Sequence, residues 1–126
     1  MLRLILALML QLRPHQAPQS RRLIAREIYA AARTPVEARL LIAVRLHEDG
    51  FNPRARYPFG LTCCMRRVRR FGDAAKVSLS ILRMGKRMCR TYEGALHLYN
   101  AGTCTGSDRG RAYASRVLST FRQIRH

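Results

Sequence analysis

The chain has 126 residues and a mass of 14.5 kDa, one domain's worth of sequence with a small core. A hydrophobic content of 48% excludes a disordered chain. Lys and Arg number 24 against 7 Asp and Glu, giving a formal charge of +17. That balance excludes an acidic solvating protein and calls for a polyanionic partner or surface, whether nucleic acid, anionic lipid or anionic wall glycan. All the basic residues except Lys76 and Lys86 are arginines.

In chain order, the first segment is Met1–Arg13, an apolar run with one early arginine, Arg3. It has two readings. It is a secretory signal cleaved at Ala17, or a hydrophobic helix packed on the domain. It is too short to span a bilayer, which needs about 20 apolar residues. Pro14 to Ser20, with two prolines and no apolar period, reads as linker. Residues 1–19 are therefore set apart as signal or hydrophobic segment plus linker, and 20–126 as the domain.

Leu23, Ile24, Ile28 and Ala31 recur at helical spacing and predict a helix over 20–33. Thr34-Pro35-Val36-Glu37 is a helix start, with Thr34 as cap, Pro35 in the first turn and Glu37 completing a capping box. The run from Ala38 to Leu46 is apolar nearly all round, so this helix belongs at the domain centre. Gly50 stops it, and Asn52-Pro53 forces a turn. Residues 51–72 read as irregular, with the cluster Arg66, Arg67, Arg69 and Arg70, and with room for a short hairpin inside 53–65. Asp73 caps a helix over 74–89. Thr91 caps another that ends at Gly102, and Ser107 or Asp108 caps the last. The fold class is all-α, with at most a minimal β-hairpin.

Four cysteines, Cys63, Cys64, Cys89 and Cys104, read as disulfides rather than zinc ligands, because neither Cys-x-x-Cys nor His-x3-His spacing occurs. Cys89 and Cys104 flank the Thr91–Gly102 helix, and a bridge between them would contribute about 3 kcal/mol in a chain-entropy treatment. Cys63 and Cys64 are adjacent, and one of them could instead reach Cys89 or Cys104. Three full pairings stand open. His47 and His97 read as carboxylate partners or core fillers.

Glu48 is the odd residue. It ends the most hydrophobic helix, where the dipole disfavours a carboxylate. Burial there would raise its pKa and suit it to general acid work. The plain alternative is a surface Glu paired with Arg45.

Its context extends the reading. Glu48-Asp49-Gly50-Phe51-Asn52-Pro53-Arg54-Ala55 is followed by Gly60-Leu61, by Ala95-Leu96-His97-Leu98-Tyr99-Asn100-Ala101-Gly102, and by Tyr113 with Val117-Leu118. These blocks, in this order over about 35–120, resemble the Glu-Ser-x-Phe-x-Pro-x-Ala, Gly-Leu-Met-Gln, Ala-Leu-x-Ala-Tyr-Asn-Ala-Gly and Tyr…Val-Leu blocks of soluble lytic transglycosylases, the bacterial relatives of goose-type lysozyme. The resemblance implies a lysozyme-like helical domain around the helix ending in Glu48. It implies cleavage of the β-1,4 bond between N-acetylmuramic acid and N-acetylglucosamine in peptidoglycan, with Glu48 as the single acid/base. Gly60, Leu61, Tyr99, Asn100 and Tyr113 would bind substrate. No cofactor and no metal are implied. Peptidoglycan strands are the expected partner, with peripheral contact to wall or membrane surface, in a monomer that is periplasmic or secreted. The chain departs from the pattern at Asp49, where the family has Ser, and at Thr62-Cys63, where it has Met-Gln. Leu98 stands for Ala, and Arg56–Phe59 is short for the segment before Gly-Leu.

Two rivals follow from the same residues. The departures at Thr62 and Cys63 suit a degenerate relative that binds peptidoglycan without cutting it. Charge alone suits a small basic nucleic-acid-binding protein, but no zinc-finger or ribonucleoprotein signature is present and no specific nucleic acid is expected.

Overall fold

The structure, a computed structural model, describes residues 1–71 and 73–125. Among these it is all-α: α1 (Leu2–Leu12), α2 (Pro18–Ala31), α3 (Pro35–Asp49), a 3-10 turn (Pro58–Gly60), α4 (Met65–Phe71), α5 (Ala74–Cys89), α6 (Tyr92–Ala101) and α7 (Asp108–Gln123).

The predicted starts hold in detail. Thr34, Asp73, Thr91 and Ser107 each accept a first-turn amide with their side chain, filling one of the donors a helix start leaves open. Glu37 does double duty. Its carboxylate accepts from the Arg33 amide at 2.7 Å, and it takes both Arg83 donors from α5 at 2.8 and 2.9 Å. Gly50 and Gly102 end α3 and α6 in left-handed conformation, as C-terminal glycines do. At the other end, α2 begins at Pro18 rather than 20, because proline suits the first helical turn.

Helix α3 is the axle. It packs on α1, α2, α5, α7 and the 3-10 turn, with Ala38 and Leu40–Arg45 buried. Helix α1 lies across α2 and α3 and buries Ile5, Leu8 and Met9 in the same core as Ile24, Ile28 and Leu41. Gln16 in the following link donates to the Phe51 carbonyl at 2.7 Å, tying the N-terminal segment to the loop after α3. Arg39 donates to the carbonyls of Phe121 and Ile124, and its guanidinium lies 4.2 Å from the Phe121 ring centre, so α3 closes the open C-terminal end of α7.

Two expectations about 51–72 are corrected. No hairpin occurs in 53–65, since the described residues contain no strand. The prolines bend the chain into the 3-10 turn instead, and Asp49 holds that turn from inside. The segment is also not wholly irregular, because Met65–Phe71 is helical and carries all four clustered arginines. Arginine is a good helix former, and Val68, which packs against the core, supplies the apolar side.

The cysteines form Cys89–Cys104 and the adjacent pair Cys63–Cys64. The first fixes the end of α5 to the loop after α6. That loop is also held by the His97 ring, which is buried and bonds to the Thr103 carbonyl and to Ser107. Replacing Cys89 and Cys104 together by Ser should cost about 3 kcal/mol, read as a lower urea midpoint at unchanged slope.

Candidate active site

The chain leaves α3 through four residues of left-handed or strained backbone. Gly50 and Phe51 both have φ +63°, and after the turn Phe59 has φ +57° and Gly60 +68°. Non-glycine residues rarely adopt such angles, and two phenylalanines doing so within nine residues need a force to hold them.

That force is a buried ion network. Arg45 is 1% exposed, although it is an arginine on the core face of α3. Its Nε reaches Asp49 at 3.0 Å, Nη1 reaches Glu27 of α2 at 3.2 Å, and Nη2 donates to the Asn52 carbonyl at 2.9 Å. Its guanidinium also stacks 4.6 Å from the Phe59 ring centre. Asp49 in turn accepts from the amides of Asn52 and Phe59, each at 3.1 Å. One guanidinium and one carboxylate thus clamp both ends of the 52–59 loop. Asp49, which stands where the resembled family has Ser, is therefore not a loose charge beside Glu48. It positions the loop.

The clamp brings Gly60 against Glu48. The Glu48 carboxylate lies directly on the Gly60 Cα, where any Cβ would overlap it. Glu48 is half-buried, and burial raises its pKa above the ordinary 4.5. The nearby Tyr113 hydroxyl offsets part of the rise, and the Asp49 charge adds to it. Arg45 is spent on Asp49 and Glu27, so the expected Arg45–Glu48 surface pair does not form. Among the described residues no cation pairs with Glu48.

Two tyrosines stack beside this carboxylate, Tyr99 and Tyr113, with ring centres 6.5 Å apart and planes 3° from parallel. Tyr99 donates to the Phe59 carbonyl at 2.6 Å, and Ser78 of α5 lies 2.9 Å from the same hydroxyl. It is a strut for the turn, and burial pushes its pKa up. Tyr113 is 3% exposed, and burial followed by the Glu48 charge raises its pKa also. Its hydroxyl faces Glu48 closely enough to lower the pKa of that carboxyl group, though not in ideal hydrogen-bond geometry.

The structure therefore gathers Glu48, Gly60, Tyr99 and Tyr113. Leu61 is buried and lines a groove of about 420 Å³ that also takes in Gly60 and Tyr99. Among the described residues no hydrogen bond joins Asn100 to Glu48. Its Oδ1 is buried without a protein partner. His47 bonds to Thr120 of α7 at 2.7 Å and belongs to the α3–α7 packing. No three His, Cys, Asp or Glu side chains among the described residues converge as metal ligands.

Sequence reading missed Arg45, Asp49 and Ser78. The four-residue spacing of Arg45 and Asp49, a standard helical ion-pair spacing, was the available signal. Nothing in the sequence marks Ser78.

No family model matches the chain, and no curated protein or solved structure is significantly similar to it.

Two outcomes follow from this geometry. Gly60→Ala should destabilise the fold by at least about 1–2 kcal/mol from the left-handed backbone alone, and more as the Glu48 carboxylate is displaced; urea unfolding reads it. Because the folded state raises the Glu48 pKa, protonation of this group stabilises the fold. That contribution is full below pH 4.5 and is lost as pH rises through the folded pKa. Glu48→Gln should therefore unfold at a higher temperature than wild type at neutral pH, and the gain should vanish in acid.

Proposed function

We propose that this protein is a peptidoglycan lytic transglycosylase that cleaves the β-1,4 bond between N-acetylmuramic acid and N-acetylglucosamine with Glu48 alone. The observation that carries the reading is the state of Glu48. It is a half-buried carboxylate with a raised pKa, without a cationic partner among the described residues, beside the Tyr113 hydroxyl and adjoining a groove through Gly60. Such a group holds a proton at a pH where ordinary carboxylates have lost it, and this is what a general acid needs. The order of the sequence blocks supplies the substrate.

The chemistry balances on one carboxyl group. The Glu48 O–H gives its proton to the glycosidic oxygen as the C1–O bond of the muramyl residue breaks. The muramyl 6-hydroxyl then forms a bond to C1 and passes its proton back to Glu48, closing the anhydro ring. Glycosidases with a second carboxylate place it across the sugar at about 5–9.5 Å. Here Asp49 is committed to Arg45 and to the loop amides, which suits a one-carboxylate route. Tyr113 is placed to donate to Glu48 when it is ionised and so to steady the intermediate charge state. The high positive charge would hold the protein on anionic wall polymer, an attraction screened over about 8 Å at physiological ionic strength.

A second reading has its own observation. Cys63, standing where the family has Gln, is tied to Cys64 and offers no amide to a glycan. A binding-only relative would look like this at that position.

Digestion of purified peptidoglycan separates the two. Wild type should release anhydro-muropeptides by mass spectrometry, and Glu48→Gln should lose at least about 10²-fold in rate, the scale of a general acid's contribution. A folded wild type that sediments with the wall and releases nothing would establish the binding-only reading. The rate should also fall on the alkaline side as Glu48 loses its proton. Asp49→Asn removes a nearby negative charge, so this limb should move to lower pH.

A further inference from the structure

The groove beside Glu48 has an unusual lining. It runs between α5, α6 and the segment after the 3-10 turn, and Gly60 is among its lining residues. Gly60 also meets the Glu48 carboxylate, so the groove adjoins that carboxylate through one shared residue. A polymer whose scissile bond lies at Glu48 would bring a neighbouring unit to this groove.

Pyranose rings present a flat C–H face, and proteins commonly meet it with aromatic rings, tryptophan above all. This chain has no tryptophan, and among the described residues Tyr99 is the aromatic residue lining the groove. Sulfur takes that place. Cys63 and Cys64, joined as a disulfide, line it together with Met84 and Met88 of α5. The two methionines are 43% and 62% exposed, so they are not core residues, and thioether sulfur is soft and polarizable against C–H surface. Side chains of sequence neighbours tend to diverge. The Cys63–Cys64 bond holds both sulfurs on one side and removes their S–H donors, giving a small rigid apolar plate. Reduced, the pair becomes two mobile thiols that need not share a face.

We propose that the Cys63–Cys64 disulfide is a specificity element of the glycan groove, an apolar plate that receives the C–H face and N-acetyl methyl of the sugar next to the cleaved bond. This rests on the transglycosylase reading for its occupant. It goes beyond that reading in making glycan affinity depend on the oxidised state of one named bond. Arg67 is the charged residue among the described residues that line the same groove.

The test uses the Glu48→Gln protein, which binds without turnover, and a GlcNAc–MurNAc tetrasaccharide followed by calorimetry. Adding Cys63→Ser and Cys64→Ser should weaken binding by about tenfold, the effect of losing roughly 55 Å² of apolar contact. Adding Cys89→Ser and Cys104→Ser should leave affinity within about twofold, since that bond is not in the groove. A second measurement needs no cysteine variant. Dithiothreitol converts each disulfide to two thiols while becoming a cyclic disulfide itself, and alkylation with mass spectrometry times each bond. Saturating tetrasaccharide should slow reduction of Cys63–Cys64 and leave Cys89–Cys104 unaffected. Unchanged affinity in the Cys63/Cys64 variant, with reduction indifferent to glycan, overturns the plate even if wild type cleaves peptidoglycan. Disulfide-dependent binding by a wild type that cleaves nothing supports the plate and removes the transglycosylase reading. Absence of any glycan binding by the oxidised protein removes both.

Discussion

The buried guanidinium of Arg45 is the constraint on which the site depends. A lone arginine in a core is among the most costly groups a small domain can hold, and removing one partner of a buried pair typically costs about 3–5 kcal/mol. Arg45 is tolerated because every face of it is used. Glu27 and Asp49 neutralise it, the Asn52 carbonyl takes a further donor, and the Phe59 ring covers its plane. The consequence is geometric. Because these partners come from α2, from the end of α3 and from both ends of the loop, the loop has one conformation. In that conformation Gly60 seats against Glu48.

The charge distribution makes the same point from another side. With only seven acidic residues among 24 basic ones, each carboxylate can be asked what it does. Glu27 and Asp49 hold Arg45, and Glu37 joins α3 to α5 through Arg83. Asp73 caps α5, while Glu93 and Asp108 sit in the first turns of α6 and α7, where a helix favours negative charge. Six of the seven hold an ion pair, a cap or a helix start. Glu48 lies at the wrong end of its helix for the dipole, and among the described residues it forms no ion pair.

What the sequence revealed and what it concealed divide along physical lines. Caps and stops were legible because they are local. Thr34, Asp73, Thr91, Ser107, Gly50 and Gly102 act on amides and carbonyls a few residues away, so composition and spacing suffice. The central placement of α3 was legible because its apolar run leaves no face for water. Helix α4 was hidden because four arginines in seven residues mask its apolar side, where Val68 packs on the core. The Arg45 network was hidden because it joins residues 18 positions apart in the chain, Glu27 and Arg45, through a loop whose path sequence does not specify. For the candidate site, Glu48, Gly60, Tyr99 and Tyr113 were named from ordered blocks. The sequence showed only the local half of how they are held, the Arg45–Asp49 spacing, because the bonds of Asp49 to Phe59 and of Ser78 to Tyr99 join separate parts of the chain.

The distribution of unfavourable features is itself informative. Buried polar atoms without a protein hydrogen bond occur at several places, at Gln16, Arg21 and Asn100, while the His97 ring is bonded at both nitrogens. Around the end of α3 the features are of another kind: a carboxylate with raised pKa beside the Tyr113 hydroxyl, and Phe51 and Phe59 in left-handed backbone. Each is unfavourable by itself, and each could be relieved by an ordinary substitution. Stability alone gives no reason for them to coincide; the proposed role of Glu48, holding a proton and then losing it, would. An interior that keeps Glu48 half-buried lowers the stability of the fold at neutral pH, and under the proposed function the same burial would let the carboxyl group keep its proton into the range where it could be given to a substrate.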